Sequence, residues 1–372
     1  MRHASTLQST LRCIIFGLTS IAVSPRLYAA EPAQIGESVY RSAYFLGRGD
    51  TGIAEADRED AIFYNPAGIA QGTGIYKKTV LFSPQFEVSQ GVRDVAKSLS
   101  NSTSSAVDTV KNNIGKPISI GLQNFTGLVL RRAALGLVAS SHLKLVAFND
   151  PDSGGLQAID AQADQTLGAT FTLAEKFLGD HLLVGVTTKY LQRARGGVTA
   201  SAADIDTIQA QLDDQSKFLG YGFGSGADVG LMYKIGGKMN PSLGLVFNDI
   251  GDTQIKPKET TEQNLNLLQT INLGLSLEPG TLQSKVKLLF DYKDITGRHH
   301  KNPYERTHLG AEISVWNRIG LTGGLNQGYP TFGFYTDIYV LRLDVGTYAE
   351  EASDYLGLRP DRRYFLRLIA GF

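Results

Sequence analysis

The chain has 372 residues, of which 42% are hydrophobic, and its 36 basic and 36 acidic side chains give a formal net charge of zero. This balance provides no electrostatic basis for binding nucleic acid, which is recognised through basic patches. The sequence contains one cysteine, so an internal disulfide framework is excluded.

The first 29 residues have the pattern of a secretory signal peptide. Arg2 and Arg12 precede a short apolar run at residues 13–23, and small residues follow at Ala29 and Ala30. A basic start, an apolar core and a small-residue exit are typical of a signal that is removed on export. The apolar run is too short to span a bilayer. We therefore expect residues 1–29 to be cleaved.

The stretch 47–72, with the sequence GRGDTGIAEADREDAIFYNPAGIAQG, does not fit a strand. Its glycines permit backbone angles that are closed to other residues. Residues 55–62 are expected to form one or two short helical turns. Asn65-Pro66 then restricts the backbone, because proline disfavours a helical conformation at the residue before it. We predict a compact plug, or hatch, over residues 30–76.

A gate is predicted within this hatch. Its residues are Gly47, Gly49, Gly52, Phe63, Tyr64, Asn65, Pro66 and Ala67. The restricted backbone at Asn65-Pro66 is expected to aim the aromatic pair Phe63-Tyr64 into the barrel. The Asn65 side chain is also expected to accept hydrogen bonds from exposed backbone donors and to hold the segment rigid.

After the hatch, hydrophobicity alternates with a period of two. The clearest case is residues 285–293, where Leu288 and Phe290 share one face while Lys287 and Asp291 share the other. Such alternation separates an apolar medium from a polar one. A soluble sandwich, whose apolar faces meet in a core, satisfies the pattern. An outer-membrane barrel, whose apolar face meets lipid, satisfies it equally.

The number and spacing of the strands favour the barrel. Residues 77–372 contain about fourteen strand segments, with about twelve as the alternative, and bacterial single-chain barrels have even strand numbers. Short connections alternate with longer ones, as expected when short periplasmic turns alternate with long outer loops. The predicted fold class is all-β, an antiparallel transmembrane β-barrel with an N-terminal hatch that plugs the lumen.

The sequence FYNPAG at residues 63–68, after a glycine-rich lead and an acidic patch, resembles the hatch of the FadL-type outer-membrane transporter superfamily. It is more similar still to the PorV-like and TraF-like branch. That closer similarity rests on FNDIGD (247–252), FDYK (290–293), GLNQGYP (324–330) and RPDRR (359–363). The resemblance spans essentially the whole mature chain, and it implies a plugged barrel; the branch also includes secretion-associated barrels.

Two outer loops are predicted to contain helices, near residues 90–113 and 203–214, because their apolar residues recur at helical spacing. FadL-type proteins build an outer groove for hydrophobic ligands from loops that correspond to the second of these and to a third loop, at residues 249–268. The groove residues that the resemblance implies are Ile205, Ile208, Leu212, Leu265 and Leu268. A helix in the first loop departs from the family pattern.

The inward faces of the strands carry charges of both signs. The predicted polar network in the lumen consists of Glu278, Lys285, Lys287, Asp291, Glu312, Arg342, Asp344 and Arg367. Buried charges need partners, so we expect these residues to pair with each other and with the acidic residues of the hatch. Lys285, Lys287 and Arg367 are the bases expected to match the hatch acids. The alternative is a path for polar solutes.

Other chemistry is weakly indicated. Ser140 and His142 lie two residues apart on one strand face, which is the basis of a distant alternative, an outer-membrane lipid hydrolase. His299, His300 and His308 lack the cysteine or carboxylate spacing of a metal site. We therefore predict no enzymatic activity, no cofactor and no metal.

The functional prediction is passive uptake of hydrophobic small molecules, fatty-acid-like or aromatic, through a hatch-gated lumen in the Gram-negative outer membrane. An apolar pocket between Ile62, Phe63, Tyr64 and the outer loops would favour it. The alternative is a non-transporting partner or scaffold barrel of a secretion or conjugation apparatus. The expected partners are outer-membrane lipid, the barrel-assembly machinery and one of these ligands or assemblies, with no nucleic acid.

The C-terminus is predicted to be the last strand of the barrel. Tyr364, Leu366, Leu368 and Phe372 share one face of it. An alternating strand that ends on phenylalanine resembles the sorting signal that the bacterial barrel-assembly machinery recognises. These four residues are therefore the predicted assembly signal.

Deletion of Phe372 should impair assembly and leave protein in the periplasm, because the terminal aromatic residue of this signal would be lost. The measurement is the amount of heat-modifiable, folded protein in the outer-membrane fraction. An unchanged amount would contradict the assignment of this strand as an assembly signal.

Overall fold

The computed structural model describes residues 38–71, 76–94, 114–150, 156–201, 219–259, 263–279, 284–300, 302–316, 318–352, 357 and 359–372. Within these ranges, no helix is long and apolar enough to cross a membrane. The predicted signal peptide, the groove residues Ile205, Ile208 and Leu212, and the predicted helix near 203–214 lie outside the described residues. Residues 90–94 are helical, and the rest of the predicted first-loop helix also lies outside.

The described part of the barrel wall is one antiparallel sheet. Its strands are β1 (Tyr76–Phe82), β2 (Gln85–Ser89), β3 (Pro117–Leu130), β4 (Ala133–Asp150), β5 (Leu156–Phe177), β6 (Leu182–Ser201), β7 (Gly220–Lys234), β8 (Ser242–Asn248), β9 (Ile255–Pro257), β10 (Thr270–Leu277), β11 (Ser284–Tyr292), β12 (Thr307–Val315), β13 (Ile319–Asn326), β14 (Tyr329–Ile338), β15 (Leu341–Glu351) and β16 (Pro360–Gly371).

The sheet closes into a ring. β1 and β2 occupy one position in it, because both pair with β16 on one side and with β3 on the other. β9 lies off the ring and pairs with β7 at Gly222–Gly224. The ring therefore has fourteen strand positions. The predicted antiparallel barrel is confirmed, with the strand number that the segment count favoured over twelve.

The first strand of the ring, predicted as one segment, is interrupted at Ser83-Pro84. Proline lacks the N–H that a ladder requires. The Ser83 N–H donates to Asn124 Oδ1 at 3.0 Å, and its hydroxyl donates to the Phe125 carbonyl at 3.0 Å. The Leu368 N–H donates to the Pro84 carbonyl at 3.0 Å. These bonds connect the interrupted strand to both neighbours.

The two faces of the wall differ in polarity. On β11, Leu288 and Phe290 are 46% and 39% exposed on the outside, whereas Asp291 is fully buried inside. On β16, Leu366 is 46% exposed and Arg367 is fully buried. An apolar exterior around a polar interior is the arrangement of a membrane barrel and not of a sandwich. Tyr364, Leu368 and Phe372 also lie on the outer face.

The two ends of the ring also differ. We call the end that carries the β3–β4, β5–β6, β7–β8 and β12–β13 connections the short-turn end, and the other end the long-loop end. Exposed aromatic side chains ring the short-turn end at Phe177, Tyr233, Trp316 and Tyr339. Aromatic residues are enriched where a membrane barrel meets the bilayer surface.

The wall is uneven in height. β4, β5 and β6 contain 18, 22 and 20 residues, whereas β12 and β13 contain 9 and 8. A strand needs about 9–11 residues to cross the apolar part of a bilayer. The long strands therefore rise beyond the membrane at the long-loop end.

The last strand closes the ring against the first. The Thr79 N–H donates to the Phe372 carbonyl at 2.7 Å, and the Phe372 N–H donates to the Thr79 carbonyl at 3.0 Å. The terminal residue thus forms part of the seam that completes the barrel.

Replacement of Leu288 by Arg should prevent insertion, because an arginine facing lipid near the bilayer midplane costs about 2–4 kcal/mol. The matched control is Lys287→Leu on the inner face of the same strand, which should insert normally. The measurement is heat-modifiable migration of protein extracted from the outer-membrane fraction. Equal insertion defects in the two variants would contradict the assignment of the faces.

Candidate functional site

The N-terminal segment, residues 38–71, lies inside the ring. It contains two one-turn helices, α1 (Ala43–Leu46) and α2 (Ala61–Tyr64), and 3₁₀ turns at Arg58–Asp60 and Pro66–Ala70. Isolated helices this short are unstable in water, so contacts with the wall must hold them. Short turns were predicted over 55–62, and the helical structure occupies the second half of that range and continues to Ala70.

Glycines on the inner wall allow the N-terminal segment to approach the strand backbones. A Cβ placed on Gly244 of β8 would lie 2.3 Å from the Ile53 carbonyl oxygen, and one on Gly185 of β6 would lie 2.2 Å from the Pro66 carbonyl carbon. Similar clashes would arise at Gly230, Gly310 and Gly324. Real Cβ atoms do not approach other atoms this closely, so the wall needs glycine at these positions. Their inward positions in the alternating strands were a signal that the sequence analysis did not use.

The three glycines assigned to the gate differ in their roles. Gly49 has a φ of +77°, and a Cβ on it would lie 2.1 Å from the Leu309 carbonyl oxygen. Gly47, in contrast, has an ordinary φ of −64°. Gly52 donates its N–H to Asp291 Oδ2 at 2.7 Å. Unusual backbone freedom is therefore needed at Gly49, and not at all three positions as predicted.

Asn65 connects the segment to itself and to the wall. Its side chain accepts from the Ala67 N–H at 3.1 Å and donates to the Ile53 carbonyl at 2.7 Å and to the Leu231 carbonyl of β7 at 3.0 Å. Asn65 is fully buried, and Pro66 begins the 3₁₀ turn after it. These contacts use both N–H donors of the asparagine amide and one of the two acceptor sites on its oxygen.

Arg48 is the centre of the ion pairs between the segment and the wall. Its guanidinium is fully buried, donates to Glu312 Oε2 at 2.8 Å and forms an ion pair with Glu55. It lies over the rings of Tyr44 and Phe45 at 4.2 and 4.4 Å. The Tyr44 hydroxyl donates to Glu312 at 2.5 Å. The sequence analysis assigned no role to Arg48, because its wall partner Glu312 lies 264 residues away in the chain and no local pattern pairs the two.

A second ion-pair cluster forms around Arg367. Its guanidinium donates to Asp344 at 2.8 Å, to Asp60 of the segment at 3.0 Å and to the Tyr40 hydroxyl at 3.1 Å. Arg342 donates to the same Asp344 at 2.9 Å. Charged groups of the wall thus pair with charged groups of opposite sign on the wall and on the segment, as buried charges require.

Lys287 and Lys293 of the wall also face the segment. Lys287 forms an ion pair with Glu55, and Lys293 pairs with Asp50 at 2.7 Å. Lys285 does not match a hatch acid as expected. It pairs with Glu278 at 3.1 Å at the short-turn end, where both side chains are partly exposed. Lys285 is near the start of β11, at the short-turn end, and so it lies beyond the reach of the segment.

The ionisation of Glu55 depends on its two cationic neighbours. Burial opposes ionisation, but the cations Arg48 and Lys287 lower the pKa of Glu55 to about 2, from an ordinary 4.5. A lowered pKa stabilises the folded state above the ordinary value, and this stabilisation is lost as the pH falls from 4.5 toward 2. The contact is therefore complete at neutral pH.

A cavity of about 270 Å³ lies between the segment and the long-loop end. Tyr40 and Phe63 form an aromatic wall, with ring centroids 4.8 Å apart, and Phe63 meets Phe125 edge-on at 5.6 Å. Tyr64 also lines the cavity, and its hydroxyl donates to Asp50 at 2.5 Å. Ile62 is fully buried away from it. The expected apolar pocket is thus aromatic on one side.

Most of the rest of the cavity lining is polar, although Val39, Ile53 and Ala352 also contribute to it. Among the described residues it includes eight Asp or Glu side chains and four Lys or Arg side chains. Four of the six histidines of the chain, His142, His299, His300 and His308, also line it. Ser140 lies on the inner face two residues before His142, and is buried. The polar lining was not predicted, because its residues come from seven or more separate strands and loops.

The two groove residues that the structure describes, Leu265 and Leu268, differ in burial. Leu265 is 3% exposed and belongs to the main apolar cluster, as does Leu267, whereas Leu268 is only half-buried. Arg193 donates to the carbonyl oxygens of Leu265 and Asn266 at 3.0 and 3.1 Å. Arg193 lies on β6, so these two bonds anchor the loop to that strand. The buried pair is therefore Leu265 and Leu267, and not Leu265 and Leu268.

These features define a transmembrane β-barrel with its N-terminal segment in the lumen. No protein-family model matches the sequence, and comparison with curated protein sequences finds no match. Among solved structures, the TodX deltaS2S3 mutant monoaromatic hydrocarbon channel is 12% identical, with a TM-score of 0.52 over 88% of this chain and 98% of that one.

The CymD monoaromatic hydrocarbon channel is also 12% identical, with a TM-score of 0.51 over 88% of this chain and 96% of that one. The Pseudomonas putida toluene transporter TodX aligns at 11% identity and a TM-score of 0.46, covering 91% and 97% of the two chains. The chain shares its fold with the two monoaromatic hydrocarbon channels whose TM-scores exceed 0.5. These comparisons do not support the closer resemblance to the PorV-like and TraF-like branch.

Replacement of Arg48 by Met should loosen the segment, because Glu55 and Glu312 would lose their shared guanidinium at a cost of about 3–5 kcal/mol. The measurement is the rate of limited proteolysis within residues 38–71 of the folded barrel. The control is Arg58→Met, since the Arg58 side chain is 39% exposed and lies 3.5 Å from Asp337. Equal proteolysis of both variants would show that Arg48 does not hold the segment.

Proposed function

We propose that this protein is an outer-membrane channel for passive uptake of hydrophobic small molecules, and that the N-terminal segment is the hatch that gates its lumen. The observation that carries the proposal is the aromatic wall of Tyr40 and Phe63 in a cavity directly above a segment that occupies the lumen. The shared fold with channels described as monoaromatic hydrocarbon channels supports it. The predicted signal peptide and terminal strand agree with this location.

Small aromatic ligands suit the cavity better than long acyl chains. Ligand pockets usually enclose about 300–1,000 Å³. The volume of about 270 Å³ is just below that range. Phe63 and Tyr40 pack against each other with ring centroids 4.8 Å apart, so together they give the cavity one continuous aromatic surface. We therefore infer that a monoaromatic compound is the better candidate.

The gate that we propose depends on the contacts of Asn65 and Gly49. Asn65 connects three backbone positions, and Gly49 fits where a side chain would meet the Leu309 carbonyl. These contacts fix the segment across the lumen. Passage of a ligand would require part of the segment to move, because its ion pairs with the wall fill the interior below the cavity.

The second candidate is a scaffold barrel for a secretion or conjugation apparatus, as the resemblance to the PorV-like and TraF-like branch implies. The observation that favours it is the number of ion pairs between segment and wall, including Arg48–Glu312 and Arg367–Asp60. A segment held this firmly is also what a permanently closed barrel requires. The conductance of a barrel without the segment separates the two candidates.

Deletion of residues 47–72 should leave a folded barrel with a much larger single-channel conductance, because the wall ladder is independent of the segment and water would replace it. Planar-bilayer recording measures the conductance, and heat-modifiable migration checks the fold. Replacement of both Asn65 and Pro66 by Ala should instead give brief, flickering openings. A deletion variant that folds but conducts no better than the parent would support the scaffold candidate.

Transport itself is tested with toluene as the probe. Gram-negative cells that express the full chain should accumulate toluene faster than cells without it, because the lipopolysaccharide leaflet slows its entry. Equal rates in the two strains would contradict uptake, whatever the conductance of the deletion variant.

A further inference from the structure

The cations that line the cavity are all engaged by carboxylates. Lys189 contacts both Asp228 and Asp249 at 2.8 Å, and Lys293 contacts Asp50 at 2.7 Å. The remaining pairs are Arg41–Asp50 at 3.3 Å, Arg41–Glu350 at 2.7 Å and Arg363–Glu350 at 2.6 Å. Every Lys and Arg side chain in the lining therefore already has at least one acidic partner.

Three carboxylates of the lining have no Lys or Arg partner among the described residues. Glu87 accepts from the Tyr348 hydroxyl and from the Gln85 and Gln123 amides. Asp294 accepts from backbone N–H groups of the loop that follows it. Glu305 faces His300 Nδ1 at 3.3 Å. The cavity therefore has an excess of negative charge, which attracts cations and repels anions.

Glu305 gives a second, independent indication of a ligand. It is 6% exposed, and its Oε1 atom has no hydrogen-bond partner among the described residues. It also lines the cavity. A buried carboxylate oxygen without a donor is costly, and a bound donor would relieve that cost.

The aromatic rings of the lining, like its carboxylates, can attract a cation. Lys293 lies 5.4 Å from the centre of the Tyr64 ring, and Arg41 lies 5.3 Å from that of Tyr348. Cations bind to aromatic faces at such distances. The ring faces of Tyr40 and Phe63 supply an apolar surface on the same cavity. The cavity thus offers one surface for an aromatic ring and carboxylates for a positive charge.

We propose that this cavity selects small aromatic cations, a single ring bearing an ammonium group, over neutral aromatics and excludes aromatic carboxylates. Glu305 Oε1 is the acceptor for the ammonium group, and the ring lies against the aromatic wall. This inference rests on the proposed uptake function and narrows its ligand class.

The test compares benzylammonium, benzyl alcohol and benzoate, which share one ring and differ in charge. Calorimetry with the full-length protein in detergent should show benzylammonium binding about tenfold more tightly than benzyl alcohol, the value of one charge-assisted hydrogen bond. Benzoate should bind most weakly. Glu305→Gln should remove that tenfold preference and leave benzyl alcohol binding unchanged.

Glu278→Gln is the matched control, since Glu278 pairs with Lys285 at the short-turn end and does not line the cavity. It should retain the preference. If Glu305→Gln fails to fold, as heat-modifiable migration would reveal, Glu87→Gln provides the second removal of a lining charge and should weaken benzylammonium binding selectively.

The inference is overturned if benzoate binds as tightly as benzylammonium, or if the folded variants keep the full preference of the parent. In either case, the proposed function still holds if benzyl alcohol binds and toluene is taken up. If none of the three probes binds and toluene uptake is absent, the proposed function fails together with the inference.

Discussion

The need to pair charge inside the lumen is the constraint on which the rest of this structure depends. Arg48 has no access to solvent, and it is stabilised because Glu55 of its own segment and Glu312 of the wall both face it. Arg367 is satisfied in the same way by Asp60 and Asp344. Each cluster joins a segment residue to a wall residue. Neither the wall nor the segment could keep these charges buried alone; in a barrel without the segment, water in the lumen would solvate the wall charges.

Close backbone approach makes this charge pairing possible. The ion pairs form at hydrogen-bonding distance because the segment lies directly on glycines of the wall, with Gly244 against Ile53 and Gly230 against Asn65. A wall with larger residues there would hold the segment away from its partners. Small residues on one face of a strand usually weaken a sheet. Here the segment supplies the packing that the missing side chains would have provided.

Filling the lumen in this way leaves one region of mixed character above the segment. The same side chains that anchor the segment, Asp50 and Lys293, also border the cavity. Movement of the segment would therefore change both the shape of the cavity and its charge. Gating and ligand binding would therefore be linked, because one set of ion pairs holds the segment in place and sets the electrostatic field in the cavity. The aromatic wall, which Tyr40 and Phe63 of the segment provide, would move with it.

The sequence by itself determined the barrel and the two faces of each strand, and its segment count favoured fourteen strands over twelve. These follow from local rules, since the period of two on β11 already separates Leu288 from Asp291. It also indicated that Asn65 would bind nearby backbone, a contact within a few residues. Only the tertiary structure decided which charges meet. Lys285 pairs with Glu278 and not with the segment, Arg48 becomes the central cation, and Ile62 turns away from the cavity. These outcomes depend on the depth at which the segment sits and on strands far apart in the chain, and no local pattern records that depth.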